Sequence, residues 1–200
     1  WQGPQMLEGT YGHYIWRAAA HGERAYLCGG RKQLFRAVES PAERDPITES
    51  ALLESEDGLV WRTAGLFQET YGNETAFLIE PDGQLLAVAR TGGNRPAQVC
   101  RSRFPFQKWE RTDLDRFIGG PLVVRWGSRY LVGGRQAVAG KGPLTTLYWL
   151  DDKELHECAR LPSGGDNSYP GFVALDDRRG VVSYYSSHEK DANGKTITAI

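Results

Sequence analysis

The side chains best suited to chemistry are a glutamate, a tyrosine and three arginines at the ends of predicted strands. Glu74 stands immediately before an apolar run, where a charged side chain needs a function or a partner. Arg90 ends the same predicted hairpin, Arg135 ends the next one, and Arg17 opens the first. Tyr169 follows a turn-rich loop and is either a core or rim aromatic or a ligand contact. The set suits acid–base chemistry on an anionic ligand, although a turn cap and solvated strand ends would explain the same glutamate and arginines.

These residues belong to four segments that share one pattern: an apolar strand, a short polar turn and a second apolar strand. Glycine or Asp-Gly at each turn supplies the positive φ that a tight hairpin needs. The segments recur about 50 residues apart, which is the spacing of propeller blades. They are residues 16–31, 73–90, 120–135 and 168–187. The pattern predicts an all-β fold, a β-propeller of four-stranded antiparallel blades with about four blades present, and a polar loop over 39–49.

A second marker lies between the hairpins. Residues 55–61 read SEDGLVW, in which Asp57 is expected to cap the amides of its turn and Trp61 to pack between blades. Residues 102–109 keep only the serine and the tryptophan of this pattern, and Trp1 is interpreted as the end of another copy. The markers are in phase with the hairpins, which strengthens the propeller prediction.

The residues carrying these patterns resemble a known superfamily. Residues 163–189 (SGGDNSYPGFVALDDRRGVVSYYSSHE), 72–90 and 109–135 resemble three consecutive blades of sialidase-like (BNR/Asp-box repeat) β-propellers, of the bacterial exo-alpha-sialidase type. The resemblance implies that residues 1–200 form a single domain, part of a five- or six-bladed propeller with about two further blades upstream. It also implies that the protein is a glycoside hydrolase.

The resemblance also implies roles for the residues named above. Tyr169 matches the nucleophile and Glu74 the residue that takes its proton. Arg90 and Arg135 match two arginines that hold the sugar carboxylate, and Arg17 is a looser candidate for such a role. A neutral phenol suits this substrate because the carboxylate on the anomeric carbon would repel an anionic nucleophile.

The chain departs from the family pattern in three places. The third arginine and the acid/base aspartate belong to a first blade that this sequence does not show. Asp45 is only a loose stand-in for that aspartate. Pro170 replaces the small serine that usually follows the nucleophile.

Composition limits the partners. A formal net charge of −1 gives no reason to propose a nucleic acid, and no apolar run approaches the ~20 residues that span a bilayer. The four histidines lack ligand spacing, so we expect no metal, and the chemistry implied by the resemblance needs no cofactor. The expected partner is a glycan or sialoside-like small molecule. Export of the family implies a periplasmic or secreted protein.

Three functions remain open at this point. The first is a sialidase-like exo-glycosidase that acts on terminal acidic sugars. The second is a propeller that binds a glycan or a protein without chemistry. The third is a five-bladed glycosidase that uses carboxylates alone, which would need two or three acids on inner strands, where only Glu74 fits.

Overall fold

The structure, a computed structural model, describes residues 3–38, 40–138 and 140–200. These residues form four antiparallel sheets, and within each sheet the strands lie side by side in chain order. The strands of the first two sheets are β1 (Tyr14–His21), β2 (Arg24–Lys32), β3 (Thr48–Ser55), β4 (Arg62–Gln68), β5 (Gly72–Ile79), β6 (Gln84–Thr91), β7 (Gln98–Arg103) and β8 (Trp109–Asp113).

The third sheet has four strands, and the fourth has three within the described residues. Their strands are β9 (Gly119–Trp126), β10 (Arg129–Val138), β11 (Gly142–Asp151), β12 (Glu154–Arg160), β13 (Asn167–Ala174), β14 (Gly180–Lys190) and β15 (Thr196–Ala199). Each predicted hairpin is the first strand pair of a sheet, as in the turn after β9, where Gly127 has a φ of +60°. The prediction of an all-β propeller with about four blades is confirmed.

The apolar core lies between the sheets, because each strand turns alternate side chains towards a neighbouring sheet. One cluster joins the first and second sheets and includes Tyr26, Phe67 and Phe77. A second cluster joins the second and third sheets and includes Val88 and Tyr148. Stacking sheets in this way brings the first strands β1, β5, β9 and β13 next to one another.

The turn at 55–61 has the predicted capping, with Asp57 accepting hydrogen bonds from the amides of Leu59 (2.8 Å) and Val60 (2.9 Å). Trp61 packs with Leu53 in a cluster on the face of the first sheet that points away from the second, and its place between two blades stays a prediction. Trp109, the tryptophan of the second marker, packs between the first and second sheets. Strand alternation puts Leu53 and its neighbours on the far face. The copy predicted at Trp1 lies outside the described residues.

The segment predicted as a loop over 39–49 is partly helical. Residue 39 lies outside the described residues. Ser40 caps a short helix, α1 (Pro41–Arg44), with its hydroxyl accepting from the amide of Glu43, and a 3-10 turn follows at Asp45–Ile47. A serine that is followed directly by proline, with a glutamate three positions after the serine, is a helix-start signal. This signal explains why the segment is helical and not a loop. A second 3-10 turn covers Gln33–Phe35, and no helix among the described residues is long and apolar enough to cross a membrane.

Candidate active site

Tyr169 leaves the regular strand geometry of β13. The pairing of β13 with β14 is interrupted between Ser168 and Gly171, and Tyr169 has a φ of +50°. This left-handed conformation is sparsely populated by residues other than glycine and occurs preferentially at functional sites. The bulge exposes 43% of the tyrosine and lets its hydroxyl donate a hydrogen bond to Glu74 Oε1.

The carboxylate of Glu74 accepts hydrogen bonds from three donors. Besides the phenol of Tyr169 at Oε1, its Oε2 accepts from Arg90 Nη1 at 2.8 Å and from the Gly120 amide at 2.9 Å. Glu74 is 8% exposed and follows Gly72 and Asn73 at a second bulge, in β5. Residues of β5, β6, β9 and β13 therefore meet at one buried carboxylate.

The protonation states of this pair follow from their surroundings. Burial alone would raise the pKa of Glu74, but hydrogen bonds from Tyr169 and Arg90 outweigh burial and hold this pKa below its ordinary value. Burial and the bond to Glu74 raise the pKa of Tyr169 well above its ordinary value. At neutral pH the glutamate is an anion and the phenol keeps its proton. The phenol can lose that proton to Glu74 only as its oxygen forms another bond.

An open cavity of about 480 Å³ lies beside the pair. Glu74 and Tyr169 line one part of it, and the rest comes from the first sheet and the helical segment before β3, including Trp16 and Asp45. A separate open cavity of about 580 Å³ is lined by Trp126 and the neighbouring hairpin turns, and it contains none of the predicted site residues.

Asp45 reaches the cavity from the helical turn that the sequence analysis interpreted as a loop. Its carboxylate pairs with Arg44 Nη2 at 3.0 Å and lies near Gly92, while its backbone carbonyl accepts from the Tyr71 amide at 2.8 Å. The side chain is 14% exposed. A helix-start signal was present at Ser40, but nothing local predicted where the turn would place Asp45.

The three predicted arginines have different surroundings. Arg90 contacts Glu74, and its guanidinium lies 5.1 Å from the centre of the Phe117 ring. Its Nε is buried without a hydrogen-bond partner among the described residues. Arg90 is thus the arginine that the structure brings to the predicted tyrosine–glutamate pair.

Arg135 is linked to Tyr169 through Asp166 and Tyr185. Its Nη1 donates to Asp166 at 2.9 Å, and Asp166 stands beside Tyr185, where burial first and this carboxylate second raise the pKa of the phenol. The Tyr185 ring stacks on Tyr169, with centres 6.0 Å apart and planes inclined by 23°. Tyr185 was missed by the sequence analysis, and no local signal distinguishes it from other polar strand residues. Asp166 belongs to the turn-rich loop that precedes Tyr169.

Arg17, like Arg90 and Arg135, is not among the residues that line the cavity. Its Nη2 donates to the backbone carbonyls of Pro121 and Pro170, both at 3.1 Å, and so ties β1 to β9 and β13. Arg17 was predicted to bind substrate, whereas its hydrogen bonds here are to the protein's own backbone. Among the described residues, no group of three or more His, Cys, Asp or Glu side chains is placed to hold a metal ion.

The Gly120 amide donates to Glu74, and substitution of this glycine is a direct test of the geometry of the Tyr169–Glu74 pair. Gly120 has a φ of +53°, and an added Cβ would overlap Ser168 Oγ and lie 3.1 Å from the Tyr169 amide nitrogen. We expect Gly120→Ala to reduce the stability measured by urea unfolding by about 1–3 kcal/mol, because overpacking and backbone strain add.

The matched control is Gly127→Ala. Gly127 has a φ of +60°, but its Cβ would meet nothing within 4 Å. This variant carries the backbone penalty without the collision. Equal losses of stability in the two variants would show that the close approach of residue 120 to the Tyr169 segment is not the reason why this position needs a glycine.

No family model and no curated protein matches the sequence. Solved structures do match the fold. A family 117 glycoside hydrolase from Zobellia galactanivorans is 12% identical with a TM-score of 0.61, covering 100% of this chain and 72% of that one. A xylan beta-1,4-xylosidase from Bacillus halodurans is 11% identical with a TM-score of 0.61, covering 96% and 42%.

A third match is an alpha-L-arabinanase from Cellvibrio cellulosa, 10% identical with a TM-score of 0.55, covering 91% of this chain and 75% of that one. The chain spans from 26% to 76% of the length of the first structures it matches. At these identities the likeness shows the fold alone, a β-propeller shared with glycoside hydrolases. None of these three is described as a sialidase, so the sialidase-like specificity is a hypothesis.

Proposed function

We propose that this protein hydrolyses terminal acidic sugars of the sialic-acid type from glycans. The observation that supports this proposal is the hydrogen bond from the Tyr169 phenol to Glu74, a carboxylate that Arg90 and the Gly120 amide already hold. A half-exposed tyrosine and a buried glutamate paired at the edge of an open cavity fit a nucleophile and its base. The left-handed backbone of Tyr169 is a further sign of functional constraint.

The proposed reaction has two steps. In the first, the Tyr169 oxygen attacks the anomeric carbon while its proton passes to Glu74 Oε1, and the bond to the leaving oxygen breaks. The leaving oxygen takes a proton from an acid, a role that we assign to the carboxyl group of Asp45, which lines the cavity together with Glu74. In the second, water attacks the anomeric carbon and passes a proton to the carboxylate left on Asp45, while the tyrosine oxygen leaves and recovers its proton from Glu74. Two successive inversions give net retention of configuration.

Arginine would hold the substrate carboxylate in this reaction. Arg90 uses Nη1 for Glu74, and its Nη2 has no hydrogen-bond partner among the described residues. Arg135 would need to exchange Asp166 for the substrate, because its Nη1 is engaged there. We assign the carboxylate first to Arg90 and second to Arg135, and we assign Arg17 to the support of the inner strands.

A second candidate is glycoside hydrolysis by two carboxylates, Glu74 and Asp45. One observation favours it: Asp45 lines the same cavity as Glu74, which supplies the second acid that the sequence did not place there. In this reaction neither step passes through Tyr169, and the sugar would not need a carboxylate.

A covalent label separates these functions. A fluorine beside the anomeric carbon of a sialic-acid donor slows both steps by destabilising the oxocarbenium-like transition state, and a good leaving group restores the first. We expect mass spectrometry to find the sugar on the peptide that carries Tyr169. Sugar on a carboxylate would support the second candidate, and binding of a sialylated glycan with neither label nor turnover would support a binding protein.

A further inference from the structure

Exposed aromatic side chains stand beside the cavity on the side of the first sheet. Tyr14 is 70% exposed and packs on Trp16, with ring centres 5.3 Å apart, and both line the cavity. Tyr11 is 71% exposed and packs on Phe35, with centres 5.5 Å apart. We call these four residues the aromatic ledge. Phe35 lies beside Gly12, another residue of the cavity lining.

The backbone beside the ledge adopts uncommon, left-handed conformations. Leu34 and Phe35 both have left-handed φ values, of 53° and 52°, which cost free energy in residues other than glycine. Gly12 has a φ of +77°, and a Cβ there would lie 2.6 Å from the Phe35 ring. Burial of apolar surface does not explain this arrangement, since Phe35 remains 57% exposed.

The cation next to the ledge is Lys32. It lines the cavity, and no ion pair involves it among the described residues. The neighbouring Arg31 is paired with Glu49 at 2.5 Å and Arg44 with Asp45 at 3.0 Å. Lys32 can therefore donate hydrogen bonds to a ligand without first breaking an ion pair.

We propose that the aromatic ledge binds the sugar on the leaving-group side of the scissile bond, a neutral hexose. This inference rests on the proposed function and names the rest of its substrate. Two residues of the ledge, Tyr14 and Trp16, line the cavity that also contains Glu74 and Tyr169, so a sugar on the other side of the cleaved bond can extend over the ledge. The C–H face of a pyranose packs on an aromatic ring, and its hydroxyls can accept from Lys32.

The test compares two substrates that differ only beyond the cleaved bond. One is the methyl α-glycoside of sialic acid, which has no leaving-group sugar, and the other is sialic acid α-linked to lactose. We expect Tyr14→Ala to lower the ratio of their kcat/KM values, trisaccharide over methyl glycoside, about fivefold to tenfold. Tyr14→Phe should restore the ratio, because it keeps the ring.

The control is Leu175→Ala, which truncates a side chain that is 61% exposed in the turn after β13. It should leave the ratio unchanged. An unchanged ratio in Tyr14→Ala overturns the ledge while leaving the proposed function standing. If the wild-type protein cleaves neither substrate, the proposed function fails. Titration of tryptophan fluorescence with the trisaccharide then decides the ledge, and an equal Kd in wild type and Tyr14→Ala overturns it.

Discussion

Replacing Tyr169 with phenylalanine should lower kcat for a sialoside by at least about 10³-fold, because the variant keeps the ring but has no oxygen to attack the anomeric carbon. The loss is measured as sialic acid released under substrate saturation. The fold should survive. Glu74 loses one of three donors, and we expect unfolding in urea to become easier by about 1–2 kcal/mol.

Tyr184→Phe is the matched control for this variant. Tyr184 lies in β14, and its hydroxyl donates to the Pro162 carbonyl at 2.8 Å, away from the cavity. Its removal costs one hydrogen bond without touching Glu74, and kcat should stay within about twofold. If Tyr169→Phe retains activity while Asp45→Asn abolishes it, hydrolysis runs on two carboxylates and the tyrosine mechanism is wrong.

Removing Arg90 should have the largest effect on stability among the site residues. Arg90→Ala leaves the carboxylate of Glu74, which is 8% exposed, without the only cationic partner that it has among the described residues. Breaking one side of a buried pair costs about 3–5 kcal/mol, and the partial exposure of Arg90 reduces this to about 2–4 kcal/mol. The measurement is the free energy of unfolding in urea at pH 7.

The pH dependence of this loss has a definite sign. The pKa of Glu74 is lowered in the folded protein, so its ionised form contributes stability above the pKa of the unfolded chain, and that contribution is lost as pH falls through the folded pKa. Without Arg90 the pKa of Glu74 rises. The difference between wild type and Arg90→Ala should therefore be largest near neutral pH and shrink as pH falls through the lowered pKa of Glu74 in the wild type, below which Glu74 is protonated in both.

Arg103→Ala serves as the control in the same sheet. Arg103 pairs with Asp82 at 3.1 Å, but both side chains are more than half exposed. Solvent screens such a pair, so its removal should leave the unfolding free energy unchanged within error. An Arg90→Ala deficit that is equal at pH 7 and at acidic pH would show that the arginine acts through packing and not through the charge of Glu74.

The hairpins could be predicted because their information is local. Apolar runs separated by turns such as Pro81-Asp82-Gly83 determine strand, turn and strand within about twenty residues, and their recurrence indicates blades. Capping by Asp57 was predictable for the same reason. The ends of the hairpins, where Glu74 and Arg90 stand, follow directly from this pattern.

The side on which Trp61 packs was not predictable, because a turn motif does not encode which face of its sheet receives a neighbour. Asp45 was named only loosely, since a one-residue change in the helical turn would point it elsewhere. The family resemblance, and not the hairpin pattern, predicted that Tyr169 and Glu74 belong to one site.

The sequence by itself determined four strand–turn–strand units and the order in which they follow one another, because hydrophobic alternation and turn glycines act over a few residues. Only the tertiary structure decided which polar groups meet: Tyr169 bonds to Glu74 across 95 residues, and Arg17 turns to the carbonyls of β9 and β13. These contacts depend on bulges in β5 and β13 and on the packing of one sheet against the next. Such features arise from the sum of many distant interactions, and no short stretch of sequence carries them.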